Sequence, residues 1–218
     1  MDIDIIVPGC TRIPKKRAEL LSKNLKKCGR EAVVIDIFYE LRSWFFQKTL
    51  LTSKDHTFLI KSFEAQLKEL NDDEVRTLFT HSYGVIAILA PSLKAEEYIL
   101  IAPTLDRIHW KWIERLFRFL PGFREMRNGT LSNELFEKLS SLKESGAKIT
   151  FVIGYDDWRR GDAMVVGGYH GDKRVSYSWD TLEKMSKLGE VVALHDAEHR
   201  QLMCEKNFVE TIIEKSKF

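Results

Sequence analysis

Short apolar runs that alternate with longer amphipathic stretches are the feature that most restricts how this chain can fold. We interpret six of these runs as strands: Ile3 to Val7, Ala32 to Phe38, Arg76 to Thr80, Tyr98 to Ala102, Ile149 to Ile153 and Val191 to Leu194. The first stretch between them, Pro14 to Cys28, has helical spacing and is followed by Gly29 at the position of a C-cap. Strands joined by helical crossovers predict an α/β fold with a mostly parallel, doubly wound sheet of about six strands.

Length and composition favour one globular domain over residues 1–218. Hydrophobic residues make up 44% and charged residues 30% of the chain, which is typical of a globular protein. The net charge of +2, from 34 basic and 32 acidic residues, gives no reason to expect a nucleic-acid partner. The cysteines are few and not closely spaced, and no signal-like or membrane-spanning stretch occurs, so we expect a cytoplasmic protein without a membrane span.

The connection between the fourth and fifth predicted strands is longer than a crossover requires. We interpret residues 104–146 as a candidate helical lid. Its apolar side chains are candidates for a substrate pocket: Trp110, Trp112, Leu116, Phe119, Leu120 and Phe123. Basic residues such as Lys111, Arg115 and Arg118 lie between them. The alternative is an ordinary amphipathic helix that buries its aromatic face in the core.

A serine stands where the third predicted strand meets a predicted helix, Val85 to Ala90. The sequence there is Thr80-His81-Ser82-Tyr83-Gly84. A sharp turn at this point exposes the hydroxyl, and the amides that open the helix face an oxygen that becomes negative during acyl transfer. In the alternative interpretation, Ser82 is only the N-cap of a helix that begins at Tyr83.

This segment resembles the nucleophile elbow of the α/β-hydrolase superfamily, Gly-x-Ser-x-Gly. Gly84 matches the second glycine, whereas Thr80 replaces the first. The resemblance implies that an acid follows the strand after the lid and that a histidine follows the last strand. Asp157 and His199 hold these positions, with Asp156 and His195 as adjacent competitors. A helix from Phe208 to Ile213 follows, as the family pattern implies.

The resemblance also implies an oxyanion hole built from two backbone amides. One is the amide of Tyr83, directly after the candidate nucleophile. The other lies in the loop after the first strand, where Pro8-Gly9-Cys10 resembles the family's His-Gly segment with proline in place of histidine. Gly9 permits close approach of the backbone, which makes the amide of Cys10 the expected second donor.

These residues imply a serine hydrolase that cleaves a small-molecule ester or thioester through an acyl-serine, without metal or organic cofactor. The basic residues of the candidate lid extend this expectation to an acidic acyl carrier. Two alternatives remain. One is a catalytically inactive binding protein with the same fold. The other is a zinc metalloprotease that uses the pattern His195-x-x-Glu198-His199.

Overall fold

The computed structural model describes residues 2–9, 12–39, 53–70, 74–105, 130–154, 164–166, 175–177 and 179–194. Its strands are β1 (Ile3–Val7), β2 (Ala32–Val34), β3 (Val75–His81), β4 (Ala95–Ile101), β5 (Lys148–Gly154), β6 (Met164–Val166), β7 (Val175–Tyr177) and β8 (Glu190–Leu194). Six of them form one sheet in the order β2-β1-β3-β4-β5-β8, and every pairing in it is parallel. This confirms the predicted fold class. Strands β6 and β7 pair with each other and are antiparallel.

Among the described residues, four α-helices and one 3₁₀ helix accompany these strands. They are α1 (Arg12–Lys27), α2 (Ser53–Lys68), the 3₁₀ helix (Ser82–Leu89), α3 (Thr130–Glu144) and α4 (Trp179–Leu188). Helix α1 buries the apolar positions that its spacing predicts, which are Ala18, Leu21 and Leu25. Gly29 ends α1 with φ +78°, and the amides of Gly29 and Arg30 donate to the carbonyls of Lys26 and Leu25. In the part of the chain described here, no helix is long and apolar enough to cross a membrane.

Two local predictions need correction. Strand β2 ends at Val34 and not at Phe38, because residues 37–39 form a turn in which the Asp36 carboxylate accepts from the Phe38 amide. The helix predicted from Val85 begins at Ser82 and is 3₁₀. The sequence pattern predicts no element for the antiparallel pair of β6 and β7.

The range predicted as a lid is only partly described. Its last part forms α3, which packs on the core through the fully buried Leu135 and Leu139 and therefore serves as a crossover helix. Pocket candidates Trp110, Trp112, Leu116, Phe119, Leu120 and Phe123 lie outside the described residues. A lid therefore stays a prediction, and it concerns residues 106–129 only.

A buried charge network lies near the amino end of the central strands. Asp4 on β1 is 0% exposed and accepts two hydrogen bonds from the Arg30 guanidinium, at 2.7 and 2.9 Å. Arg76 on β3 donates two more, at 3.2 and 3.1 Å, and Arg30 also donates to the Thr77 hydroxyl. A buried carboxylate needs such partners. The network therefore connects β1 with β3 at the edge opposite Ser82, beside the shift in register between Ile3 and Asp4.

Candidate active site

Ser82 lies at the carboxyl end of β3, between a strand and the 3₁₀ helix that begins with it. Its φ of 53° is left-handed, whereas the preceding His81 is extended at φ −125° and ψ 130°. Such a conformation costs a non-glycine residue about 1–2 kcal/mol and concentrates at functional sites. The serine is partly exposed although the residues on both sides of it are buried. A partly exposed serine with a left-handed backbone at a strand-to-helix corner has the geometry of a nucleophile elbow.

The N-cap position of the 3₁₀ helix is held by His81, not by Ser82. Ser82 itself has a left-handed φ of 53° and not the extended backbone that is typical of an N-cap residue, so this turn does not favour the alternative in which Ser82 only caps a helix. The His81 side chain makes no capping hydrogen bond. The backbone turn itself, and not a side-chain cap, sets the direction of the Ser82 side chain.

Gly84 allows the turn to pack against the end of β1. A Cβ at this position would lie 2.5 Å from the Val7 carbonyl oxygen and 2.9 Å from that of Pro8. Both atoms belong to the backbone and cannot move aside without distorting β1. The second glycine of the hydrolase pattern is thus required by close backbone packing, and not by a positive φ.

The loop after β1 reaches the same turn. A Cβ on Gly9 would lie 3.2 Å from both the carbonyl oxygen of His81 and the Cβ of Ser82. This is the loop predicted to supply the second oxyanion donor, and its Pro8-Gly9 portion does lie beside Ser82. Cys10, whose amide is the expected donor, lies outside the described residues.

Thr80 occupies the position at which the hydrolase pattern has glycine. It pairs in register with Val7 on β1 and Leu100 on β4, so the β-branched side chain does not interrupt the sheet. The side chain is fully buried, and its hydroxyl has no hydrogen-bond partner among the described residues. The departure from the pattern is therefore accommodated in the backbone and leaves one buried polar atom unsatisfied.

Tyr83 is fixed at two points of its side chain. Its hydroxyl lies 2.6 Å from Nε2 of His56 on α2, and its ring packs edge-on against Phe38 with centroids 6.2 Å apart. His56 could not be predicted from the sequence as a partner of Tyr83, because a histidine 27 residues away on another element carries no local signal.

The loop after β4 contacts the turn from the other side. The Thr104 amide donates to the Ser82 carbonyl at 3.2 Å, and Ala102 has a left-handed φ of 41°. The buried Tyr177 on β7 donates its hydroxyl to the Pro103 carbonyl at 2.5 Å. Strand β7 thus ends in a tyrosine that contacts the loop bonded to Ser82.

The remaining predicted residues lie outside the described part of the chain. Asp157 follows the carboxyl end of β5 by three residues and His199 follows that of β8 by five, but neither side chain has a described position. The same holds for Asp156, for His195 and for Glu198 of the zinc pattern. The triad and the metal site therefore both stay predictions.

A groove of about 740 Å³ lies at the β2 edge of the sheet, between α1 and α2. Its lining does not include Ser82. The side chains around it are Lys15, Glu19, Val34, Asp36, Ile37, Tyr39, Phe58, Ser62, Ala65 and Gln66. This groove is separate from the nucleophile turn, so its size says nothing about the substrate of Ser82.

Comparison with known proteins finds likeness of structure and not of sequence. No protein-family model matches the chain, and no curated protein matches it. A dienelactone hydrolase from Anabaena variabilis superimposes with a TM-score of 0.57 at 11% identity, over 99% of this chain and 82% of that one. The ydeN gene product of B. subtilis gives a TM-score of 0.57 at 11% identity, covering 98% and 97%. A monoacylglycerol lipase from Paleococcus ferrophilus gives 0.53 at 12% identity, covering 99% and 91%. The resemblance drawn from the sequence is confirmed at the level of architecture, and the chain has the α/β-hydrolase fold.

Proposed function

We propose that this protein is a serine hydrolase that cleaves a carboxylic ester or thioester through an acyl-serine intermediate. The observation that carries the proposal is the left-handed Ser82, φ 53°, at the carboxyl end of a central parallel strand. Ligands of open parallel sheets bind beyond this edge. A strained serine at this edge, in a hydrolase fold, is better explained by a reactive hydroxyl than by packing.

The chain topology supports the rest of the triad. β3, β5 and β8 run parallel, so the segments after them begin at the same edge. With strands about 4.8 Å apart, the ends of β5 and β8 lie about 10 and 14 Å from that of β3. Three extended residues to Asp157 span about 10 Å, and five to His199 about 17 Å. Both segments are long enough for their side chains to approach Ser82.

The proposed chemistry assigns each group one task. His199 removes the Ser82 proton as Oγ attacks the substrate carbonyl, and Asp157 holds the imidazole in the productive tautomer. The amides of Tyr83 and Cys10 stabilise the oxyanion. The intermediate collapses, the alcohol or thiol leaves with the proton from His199, and water then releases the acid by the same route in reverse.

The proposal for the substrate rests on residues 106–129. The aromatic and leucine side chains of this segment would cover a medium-length acyl chain, and the interleaved Lys111, Arg115 and Arg118 would meet an anionic carrier through exposed contacts. Exposed ion pairs weaken as salt is added. Efficiency toward an anionic acyl thioester should therefore fall with ionic strength, whereas hydrolysis of a neutral aryl ester should not.

Covalent labelling by a fluorophosphonate tests the central claim. The unaltered protein should be labelled at Ser82, as located by peptide mass spectrometry, and should hydrolyse a short-chain aryl ester. Ser82→Ala should abolish both signals while leaving the circular dichroism spectrum unchanged. Ser92→Ala is the matched control, because that serine lies in an exposed turn and donates to Glu64.

Two outcomes decide between the alternatives. Absence of labelling and of esterase activity in folded protein would contradict the proposal and favour the inactive binding protein. Activity that survives Ser82→Ala but is lost to a chelator would favour the zinc pattern of His195, Glu198 and His199.

A further inference from the structure

We infer that His56 is a positioning residue for the reaction proposed above: through the Tyr83 side chain, it holds the backbone amide that follows Ser82. The inference rests on the proposed function only in the role that it gives to that amide. The contact itself is direct, with His56 Nε2 and the Tyr83 hydroxyl oxygen 2.6 Å apart.

The position of His56 on α2 explains its contact with the Tyr83 hydroxyl. His56 shares one side of α2 with Leu59 and Phe63, at spacings of three and seven residues, and both of these side chains are 0% exposed. This face packs against the 3₁₀ helix that begins at Ser82. A half-buried imidazole on an otherwise apolar face therefore points a polar atom toward the turn.

The contacts of the Tyr83 side chain restrict the movement of its backbone. Its side chain is 6% exposed, with the hydroxyl against His56 and the ring edge-on to Phe38. Because Tyr83 directly follows the left-handed Ser82, movement of its ring would turn the shared peptide plane and the amide in it. A left-handed serine persists only where its surroundings over-determine it. The His56 contact is one of these constraints.

The expected kinetic signature follows from the role of the amide. An oxyanion donor contacts charge that exists only in the transition state, so its displacement lowers kcat and leaves KM nearly unchanged. Because a misplacement of about 1 Å at a reacting centre can lower the rate by about 10²-fold, we expect a smaller displacement of this amide to lower kcat by about tenfold. A histidine that merely supported the fold would instead lower the fraction of folded enzyme, which titration of active sites detects.

The experiment compares five variants by kcat and KM for a short-chain aryl ester, corrected by fluorophosphonate titration. His56→Ala and Tyr83→Phe should each lower kcat about tenfold with KM within about twofold, and the double variant should lose no more than either single one, because both remove the same contact. His56→Gln, which retains a nitrogen donor, should recover part of the loss. Tyr98→Phe is the matched control, since it removes a hydroxyl that accepts from Ala95 at the opposite end of the sheet; its kcat should not change.

Failure of this inference is distinguishable from failure of the proposed function. Suppose that the unaltered protein is labelled at Ser82. If the two single variants then keep kcat within about twofold of the unaltered protein, His56 has no positioning role. The same follows if the losses of the two single variants multiply in the double variant. If the unaltered protein is not labelled at all, the proposed function fails. In that case amide hydrogen exchange over residues 82–89 decides: faster exchange in His56→Ala and Tyr83→Phe than in Tyr98→Phe supports the positioning, and equal exchange overturns it.

Discussion

The strain at Ser82 makes a quantitative prediction about stability. Ser82→Ala removes the hydroxyl but keeps a Cβ in the left-handed region, whereas Ser82→Gly also removes the Cβ. The Cβ costs about 1–2 kcal/mol at the φ of 53°. Glycine in turn loses about 0.5–1 kcal/mol more conformational entropy on folding. At the middle of these ranges, the glycine variant should therefore be more stable than the alanine variant by about 0.75 kcal/mol, although both should be inactive.

Urea unfolding followed by tryptophan fluorescence measures this difference. The midpoint should rise from Ser82→Ala to Ser82→Gly at an unchanged slope, because the surface exposed on unfolding is nearly the same. In thermal unfolding the corresponding shift is about 1–4 °C for a chain of this length. Comparing the two variants with each other, and not with the unaltered protein, removes the contribution of the hydroxyl.

The matched control for the glycine substitution is Ala90→Gly. Ala90 ends the 3₁₀ helix with φ −62° and ψ 122°, which strains no residue, and it is fully buried. Glycine there should destabilise the fold by about 1.5 kcal/mol, from chain entropy and one lost buried methyl group. A Ser82→Gly variant no more stable than Ser82→Ala would refute the assignment of strain to this turn.

Two further predictions concern packing and pH. Gly84→Ala should destabilise the fold by about 3 kcal/mol, because its Cβ would lie 2.5 Å from the Val7 carbonyl oxygen. Gly9→Ala should lower the melting temperature clearly less, because the nearest atoms to its Cβ would be 3.2 Å away. Similar drops in the two variants would contradict the packing argument. Burial raises the pKa of Tyr98 above 10.0, so the unfolded chain loses this proton first and stability should fall as the pH rises above about 10. In urea unfolding, Tyr98→Phe should reduce the fall of the midpoint with pH, whereas Tyr39→Phe, at an exposed tyrosine, should not. If the midpoint falls equally with pH in both variants, Tyr98 makes no such contribution.

The sheet was predictable because each of its strands carries a local apolar signal. Ile3–Val7 has the predicted bounds, and the other five sheet strands overlap their predicted positions. The apolar run after Val34 was misread as strand. Ile37 and Phe38 are buried, but they lie in the turn of residues 37–39, which packs on the core. Hydrophobicity reports burial, and it indicates a strand only where a pairing partner exists.

The type of the helix after Ser82 was beyond the reach of the sequence pattern. Its residues Val85 to Leu89 are apolar on every side, so no periodicity distinguishes an α-helix from a 3₁₀ helix. Strands β6 and β7 have three residues each, too few for an alternating pattern to be visible. These elements are specified by tertiary contacts, as the Tyr177 hydrogen bond to Pro103 illustrates.

The position of Ser82 was predictable, but the contacts that hold it were not. The motif supplied the serine and Gly84 because their roles are local to the turn. His56, Thr104 and Tyr177 act on the turn from other elements, through bonds whose partners are distant in sequence. From a single sequence it is easier to identify the residues that react than the residues that hold them in place.

The central strands have paired charges near their amino ends and strained backbone near their carboxyl ends. Near the amino end, the fully buried Asp4 binds two guanidinium groups, and removal of one partner from such a pair costs about 3–5 kcal/mol. At the carboxyl end, Ser82 and Ala102 hold left-handed conformations at φ 53° and 41°, each unfavourable by about 1–2 kcal/mol. Strand β1 joins the two ends, because it contains Asp4 and ends at the Val7 carbonyl that packs on Gly84. A left-handed residue persists only where its surroundings over-determine it, and the packing of Gly84 on the Val7 carbonyl is one such constraint. The Asp4 network therefore links the same two strands, β1 and β3, whose other ends lie at Ser82, and it does so without contacting that residue.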